Sequence, residues 1–331
     1  MNLFDEIKAR ILKSNKAVSI VFPEGWNKSI VNAAVLVQNE SNNLINPILI
    51  FHKKEEIPAN LPKSIKRVVI ESDDLKKYAE LIHQIRKDKG VDLDKAKELS
   101  KQPNFLASAM VAAGDADAEI CGIEYTTGDT LRGALQIVKP AKGVKTVSSA
   151  FIMERNNERL VFGDCSVNIY PSAEELCSIA KSLAVFANTV ANLKAVRMAL
   201  LSYSTAGSGK GESVDKVSQA YKLITIDEEF TKKYSVYGEI QFDAAYDVRV
   251  MQKKAKDITW NESANVFCFP NIDAANIGYK IAQRLGGYQA IGPIVLGLAK
   301  PVNDLSRGAT TDDVVKLAYI TASQVLAADN N

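Results

Sequence analysis

Apolar residues in this chain alternate between two patterns. Short runs of four to seven residues, at 17–22, 47–51, 67–70, 119–122, 146–151, 159–162, 196–202, 265–269 and 290–296, read as strands. Between them, 75–87, 172–190, 274–284 and 312–327 carry apolar residues three and four positions apart, the spacing that gathers them on one face of a helix. Strand and helix alternating over the whole length predict an α/β fold with largely parallel sheets. In such sheets ligands sit beyond the carboxyl ends of the strands, so the polar loops that follow strands are the places to look for chemistry. One polar stretch, Glu154-Arg155-Asn156-Asn157-Glu158, fits either a domain boundary or a β-turn inside one sheet.

At 331 residues the chain suits two domains better than one core. Hydrophobic residues at 47% and charged residues at 24% are the profile of a soluble globular protein. With 41 basic and 39 acidic side chains the net charge is +2, too balanced for a protein devoted to nucleic acid or a membrane surface. No apolar run approaches the roughly 18 residues that span a bilayer. The first ten residues include Asp5 and Glu6 and lack the apolar core of a secretory signal. Cys121, Cys165, Cys177 and Cys268 show no CxxC spacing, so neither a zinc site nor a disulfide framework is expected. Reduced thiols in a cytoplasmic protein are the expectation.

The strongest chemical signal is Pro301-Val302-Asn303-Asp304-Leu305-Ser306-Arg307-Gly308, followed by Asp312-Asp313. A hydroxyl and a guanidinium stand side by side in a loop, with a carboxylate about one helical turn further on. An Arg fork matches phosphate oxygens, and a suitably placed carboxylate accepts a proton. An isolated Ser-Arg-Gly would be read as a capping loop with an exposed Arg; the longer block and the acidic pair argue against that.

Other polar loops are weaker alone. Gly128-Asp129-Thr130-Leu131-Arg132-Gly133 follows the strand at 119–122, and Thr126, Thr127 and Thr130 offer hydroxyls beside helix-starting N–H groups that can hold an anion. The alternative is an ordinary capped helix with Arg132 exposed. Arg86, Lys87 and Lys89 form a basic cluster, which at a helix end is usually solvated. The run from Ser202 through Ser204, Thr205 and Lys210 to Gly211 lacks the glycine and hydroxyl of a P-loop, because Ser204 and Gly211 occupy those positions. It could still cradle an anion through its backbone, or be a flexible connection. Asn276-Ile277-Gly278-Tyr279-Lys280 opens a helix, where Asn would commonly cap. Cys165 follows a strand but has no neighbouring base or cation in sequence to activate it. The two histidines, His52 and His83, stand far from these loops, no acidic cluster has metal-ligand spacing, and no GxGxxG follows a strand.

Taken in order, these blocks resemble the phosphate acetyltransferase family (phosphate acetyl/butyryltransferases). The similarity rests on Val21-Phe22-Pro23-Glu24-Gly25, the 128–132 block, Leu201-Ser202-Tyr203-Ser204-Thr205, Gly238-Glu239-Ile240-Gln241-Phe242-Asp243-Ala244-Ala245, the 276–280 block, Gln283-Arg284, Gly292-Pro293 and, most specifically, the 301–308 block. It runs from about residue 18 to about residue 325, without the large N-terminal extension of some members.

The resemblance implies two α/β/α domains with an active-site cleft between them. Residues 1–150 plus 298–331 would form the first, carrying the C-terminal catalytic loop, and 151–297 the second. It implies a homodimer that moves an acetyl group reversibly between acetyl phosphate and coenzyme A, in acetate metabolism, with no cofactor and no metal. By register Asp313, rather than Asp312, matches the base for the coenzyme A thiol. Arg307 matches the phosphate holder and Ser306 a hydrogen-bonding partner of the reacting group. Arg132 and Arg86 match positions that meet coenzyme A; Thr130, Ser204, Thr205, Asn276, Tyr279 and Lys280 are the further substrate-binding expectations. The alternatives are a phosphate butyryltransferase, whose relatives generally diverge in the Asn-Asp-Leu-Ser-Arg-Gly block, or a non-catalytic acyl-CoA-binding regulatory module. The presence of Ser306, Arg307 and Asp313 speaks against the latter.

Overall fold

The computed structural model describes residues 2–328. Among them eleven strands form: β1 (Val18–Phe22), β2 (Ile45–Phe51), β3 (Lys66–Val69), β4 (Ala118–Cys121), β5 (Ser148–Arg155), β6 (Glu158–Gly163), β7 (Arg197–Leu201), β8 (Ser235–Ile240), β9 (Val266–Cys268), β10 (Gln289–Leu296) and β11 (Val302–Asp304). They build two sheets, ordered β11-β4-β1-β2-β3 and β10-β5-β6-β9-β7-β8. The chain divides accordingly into two compact units. One holds the residues up to Lys142 together with those from Leu298 onward, and the other is Gly143–Gly297.

Every pairing in the first sheet is parallel. From β1 the chain steps outward to β2 and β3, then crosses to the other side of β1 to lay down β4. That reversal of direction opens a crevice at the carboxyl ends of β1 and β4, the position where open α/β sheets bind ligands. The helix Pro103–Ala113 is made of small and apolar residues, begins on a proline and ends on Gly114 in the left-handed region. It is buried from Pro103 through Val111 and packs in one cluster with Val21, Ile48, Ile50 and Val68 of the sheet. The last helix, Thr311–Ala328, returns to the same unit and buries Tyr319 edge-on against Phe4, ring centroids 5.2 Å apart. Asn303 inside β11 is fully buried, and its amide donates to Thr321 Oγ1 and Gln324 Oε1 of that helix, each at 2.7 Å.

The second sheet is mixed. β10, β5 and β6 pair antiparallel, while β6-β9-β7-β8 are parallel. Phe162, Phe267 and Phe269 form its aromatic centre, with centroids 5.4 and 5.3 Å from Phe162. The helix Ala173–Thr189 starts from a reciprocal capping box between Ser172 and Glu175.

All nine expected strands form. Two more, β8 and β11, form where no strand was expected; β11 lies inside the 301–308 block and β8 overlaps the 238–245 block. The stretch at 154–158 is a hairpin joining β5 to β6, turning on Asn156 at a φ of 56°, so it is a turn within one sheet. Because β5 belongs to the second sheet, residues 143–150 go with the second unit rather than the first.

β4 buries Glu119 completely, with Ser108 Oγ donating to its Oε2 at 2.7 Å. Burial pushes its pKa from the ordinary 4.5 up to about 8, with Ser108 pulling it down and Glu24 pushing it further up. Between those values the folded protein holds a proton that the unfolded chain releases, so stability falls as pH rises across that window, by up to about 1.4 kcal/mol per pH unit. Glu119→Gln removes this titration. Urea midpoints at pH 5 and pH 8 should differ less in the variant than in the parent; an equal difference would refute the neutral buried Glu119.

Candidate active site

In the first unit three loops meet at the carboxyl edge of the sheet, after β1, β4 and β11. Glu24, two residues beyond β1, is fully buried. Its Oε1 accepts the backbone N–H groups of Glu124 (2.6 Å) and Tyr125 (3.0 Å), and its Oε2 those of Gly122 (3.1 Å) and Ile123 (3.3 Å). Burial pushes its pKa up and the four N–H groups oppose that shift. The loop they shape ends at Thr126, whose hydroxyl caps the helix Thr127–Gly133 by accepting from Asp129 N.

The loop after β11 is fastened to the same place. Leu305 N donates to Cys121 O at 2.7 Å, and Thr127 Oγ1 donates to Asp304 Oδ2 at 2.6 Å. Gly122 sits against this junction with φ +110°; a Cβ there would collide with Asp304 Oδ1 and with Leu305 backbone atoms. Burial raises the Asp304 pKa, and the hydrogen bond from Thr127 counters it.

Beyond that junction Ser306 and Arg307 are exposed. Ser306 Oγ accepts weakly from Gly308 N at 3.4 Å, which leaves its own proton free to donate. No hydrogen bond or ion pair engages the Arg307 guanidinium among the described residues. Thr310 caps the following helix and exchanges bonds with Asp313: its N–H and hydroxyl donate to Asp313 Oδ2 (2.9 and 2.8 Å), and its hydroxyl accepts from Asp313 N (3.3 Å). Asp313 is thus held by one oxygen, with Oδ1 free of partners among the described residues. Asp312 instead pairs with Lys316 at 2.6 Å.

Arg132 forms an ion pair with Asp129 (3.0 Å) on the surface of its short helix. Arg86 ends the helix Lys76–Arg86, and its Nε is buried with no partner. No hydrogen bond or ion pair joins Arg86 to the three loops among the described residues. Thr130 is fully buried, and its hydroxyl donates to Cys121 Sγ at 3.3 Å. An inward-facing hydroxyl of that kind supports the loop instead of meeting a ligand.

The second unit repeats the device. Glu239, in β8, is buried; its Oε1 accepts from Ser204 Oγ (2.9 Å) and Gly207 N (2.8 Å). Ser204 Oγ in turn accepts from Gly209 N at 2.8 Å. Thr205 Oγ1 accepts from Gln241 N at 2.9 Å and donates toward Gln241 Oε1 at 3.3 Å. Both hydroxyls, expected at a substrate, are therefore committed inside the fold. Beyond β6, Asp164 gathers the N–H groups of Ser149, Ser166, Val167 and Asn168, at 2.8–3.2 Å.

Asn276 does not cap its helix, which begins earlier at Ile272 with Asn271 as the cap. Its Nδ2 donates to Cys165 O at 3.2 Å. Tyr279 stacks on Phe151 with centroids 4.2 Å apart, and Lys280, exposed, lies over the Tyr279 ring. Cys165 is fully buried; burial and the neighbouring Asp164 carboxylate push its thiol pKa well up. That is the opposite of an activated nucleophile.

The backbone N–H groups of 122–125 are thus taken by Glu24, and that of Gly207 by Glu239. Arg307 and Lys280 have no ion-pair partner among the described residues, whereas Arg132 is paired with Asp129. Sequence reasoning gave no individual role to Glu24, Glu239 or Asp304, and read Thr127 only as a hydroxyl beside an anion-holding helix start. The available signal was an acidic residue directly beside an apolar strand, a position where only a hydrogen-bonded carboxylate is tolerated.

Comparison with known proteins gives one answer. The chain matches the family described as phosphate acetyl/butaryl transferase over residues 2–322. It is 49% identical to a phosphate acetyltransferase of Mycoplasma genitalium, over 98% of this chain and all of that one. Among solved structures it is similar to a phosphotransacetylase from Streptococcus pyogenes (TM-score 0.90, 38% identity, 98% of each chain). It is also similar to the EutD phosphotransacetylase from Staphylococcus aureus (TM-score 0.88, 37% identity, 98% of this chain and all of that one).

Glu24→Gln would turn an amide nitrogen toward two backbone N–H groups, leaving donors facing donors. At about 1–3 kcal/mol for each unsatisfied group, the variant should lose about 2–6 kcal/mol of stability. Amide exchange should quicken first at 122–125. Chemical denaturation and site-resolved exchange check both, and unchanged protection at those amides would sink the assigned role of Glu24.

Proposed function

Since the chain belongs to the phosphate acetyl/butaryl transferase family, we propose that it transfers an acetyl group reversibly between acetyl phosphate and coenzyme A, by direct attack within a ternary complex. The observation that carries this reading is an Arg307 guanidinium with no internal partner, in a loop fixed at the carboxyl edge of a parallel sheet and followed by a carboxylate with one oxygen free.

Asp313 Oδ1 takes the proton from the coenzyme A thiol, because the thiolate is the competent nucleophile. The sulfur forms a bond to the acetyl carbonyl carbon, giving a tetrahedral intermediate. Its collapse breaks the bond from that carbon to the phosphate oxygen, and inorganic phosphate leaves. Arg307 presents parallel N–H donors to the phosphate oxygens and stabilises the charge that grows on them. Ser306 donates its free proton to the reacting group. Arg86 and Arg132 meet the phosphates of coenzyme A; Arg132 exchanges its Asp129 partner for the ligand. Lys280 adds a further cation, with Asn276 and Tyr279 shaping its surroundings. Thr130, Ser204 and Thr205 act from behind, as supports. Neither metal nor organic cofactor is needed for these steps. No helix among the described residues is long and apolar enough to cross a membrane, and a cytoplasmic enzyme is part of the proposal.

The purified protein, given acetyl phosphate and coenzyme A without added metal, should form a thioester measurable by absorbance. Asp313→Asn should lower kcat by about 10²- to 10⁴-fold, and Arg307→Ala should lower kcat/KM on the order of 10²- to 10³-fold. Near-normal turnover in either variant removes that residue from its role. Faster reaction with butyryl phosphate would move the assignment to the butyryl enzyme, and an isolable acetyl-enzyme would overturn direct transfer.

The homodimer belongs to the same reading. Ile277, Ile281 and Leu285 recur every four residues along one side of the helix Ile272–Arg284 and its cap, and are 59%, 53% and 86% exposed. An apolar stripe of this kind calls for a partner, and we assign a second copy of the chain. Ile281→Glu should shift the mass measured by light scattering from dimer to monomer; an unchanged dimer would point to another face.

A further inference from the structure

The phosphate-holding loop and the helix bearing Arg132 come from distant parts of the chain, yet two contacts join them. Asp304 is the residue before Leu305-Ser306-Arg307, and its carboxylate accepts the Thr127 hydroxyl at 2.6 Å. Gly122 gives way at the same point, where any side chain would collide with Asp304 and Leu305. Thr127 opens the helix that carries Arg132, and the approach to that helix is shaped by the four N–H bonds to Glu24. The backbone bond from Leu305 N to Cys121 O fixes only the first residue of the loop. Past it, Ser306 makes only local turn contacts, and Arg307 has no anchor of its own among the described residues.

We infer that Asp304 and Thr127 form a latch that positions Arg307: the Thr127 hydroxyl holds the Asp304 carboxylate, and thereby sets the direction in which the Ser306-Arg307 turn leaves the sheet. Neither residue touches the reacting atoms in this scheme; both are positioning residues. The inference rests on the function proposed above for Arg307. Displacing a catalytic group by about 1 Å can cost about 10²-fold in rate, so one hydrogen bond at the root of the loop is enough to matter.

Thr127 lies at an exposed helix start, so isosteric replacement should leave the fold intact. Thr127→Val removes the donor and keeps the shape; Thr127→Ser keeps the donor. The expected result for Thr127→Val is a fall in kcat of about 10- to 100-fold, a raised KM for acetyl phosphate and an unchanged KM for coenzyme A. Amide exchange should quicken at 305–310 but not in the helix Ala173–Thr189, with the melting temperature retained. Thr127→Ser should restore both the rate and the protection. Unaltered kcat together with unaltered exchange at 305–310 in Thr127→Val overturns the latch, as does a Thr127→Ser variant no better than Thr127→Val. A parent protein inactive on acetyl phosphate would instead strike the proposed function. In that case exchange alone decides the latch: faster exchange at 305–310 in Thr127→Val upholds it, and unaltered exchange overturns it.

Discussion

A carboxylate moved out of water costs several kcal/mol unless donors surround it. This fold makes such placements at strand ends in both units. Glu24 receives four backbone N–H groups, Asp164 four, and Glu239 one together with a serine hydroxyl. For Glu24 and Glu239 the backbone donors lie in loops, whereas Asp164 also draws on Ser149 N within β5. The dependence is mutual: the loop needs an acceptor for its N–H groups and the buried acid needs donors. Conformations in which the loop drifts expose an uncompensated charge, so the arrangement is steep on both sides.

This has a chemical consequence. A loop whose N–H groups converge on an internal carboxylate has none left for a phosphate, and its local field is already neutralised. Under the proposed function, recognition of a polyanionic ligand falls to side chains that project beyond the stapled backbone. Arg307 and Lys280 have no carboxylate partner among the described residues, whereas Asp312 is neutralised by Lys316. The neighbouring Asp313 is steadied by Thr310 through one oxygen only. The interior is biased the other way. Burial raises the thiol pKa of Cys121, Cys165 and Cys268, and adjacent carboxylates reinforce this at each. Thiols kept protonated and out of contact with solvent cannot compete with coenzyme A for the acetyl group, which accords with direct transfer.

What could be read from the sequence follows from where the period is strong. β1, β7 and β10 contain apolar runs, and apolar runs between helical stretches were enough to locate them. β11 is Val302-Asn303-Asp304, with two polar residues in three, and it forms because Asn303 finds Thr321 and Gln324 while Asp304 finds Thr127. No local pattern announces partners 18, 21 and 177 residues away. β8 is likewise interrupted by Gly238 and Glu239, and Gly238 is required because a side chain there would press on Leu200 of β7. Ser306, Arg307 and Asp313 stand exposed, where residue type alone suggests their chemistry. The hydroxyls of Thr130, Ser204 and Thr205 were not legible in that way, because a hydroxyl serves a ligand or a backbone equally well, and only tertiary placement chooses between them.

The order of events along the chain adds a final constraint. β4 is the neighbour of β1 on the inner side and of β11 on the outer, so until β11 arrives it is an edge strand with unpaired backbone groups. β11 and the helix that follows it are the last elements of the chain, and between β4 and β11 the whole second unit is inserted. The pairing that seals β4 is therefore among the longest-range contacts in the molecule, costly in loop closure and late to form. The same pairing brings Asp304 to Thr127 and carries the Ser306-Arg307 turn into place. Completion of the first sheet and placement of the Ser306-Arg307 turn are thus linked, and a chain whose β4 edge is still unpaired lacks that turn in its place.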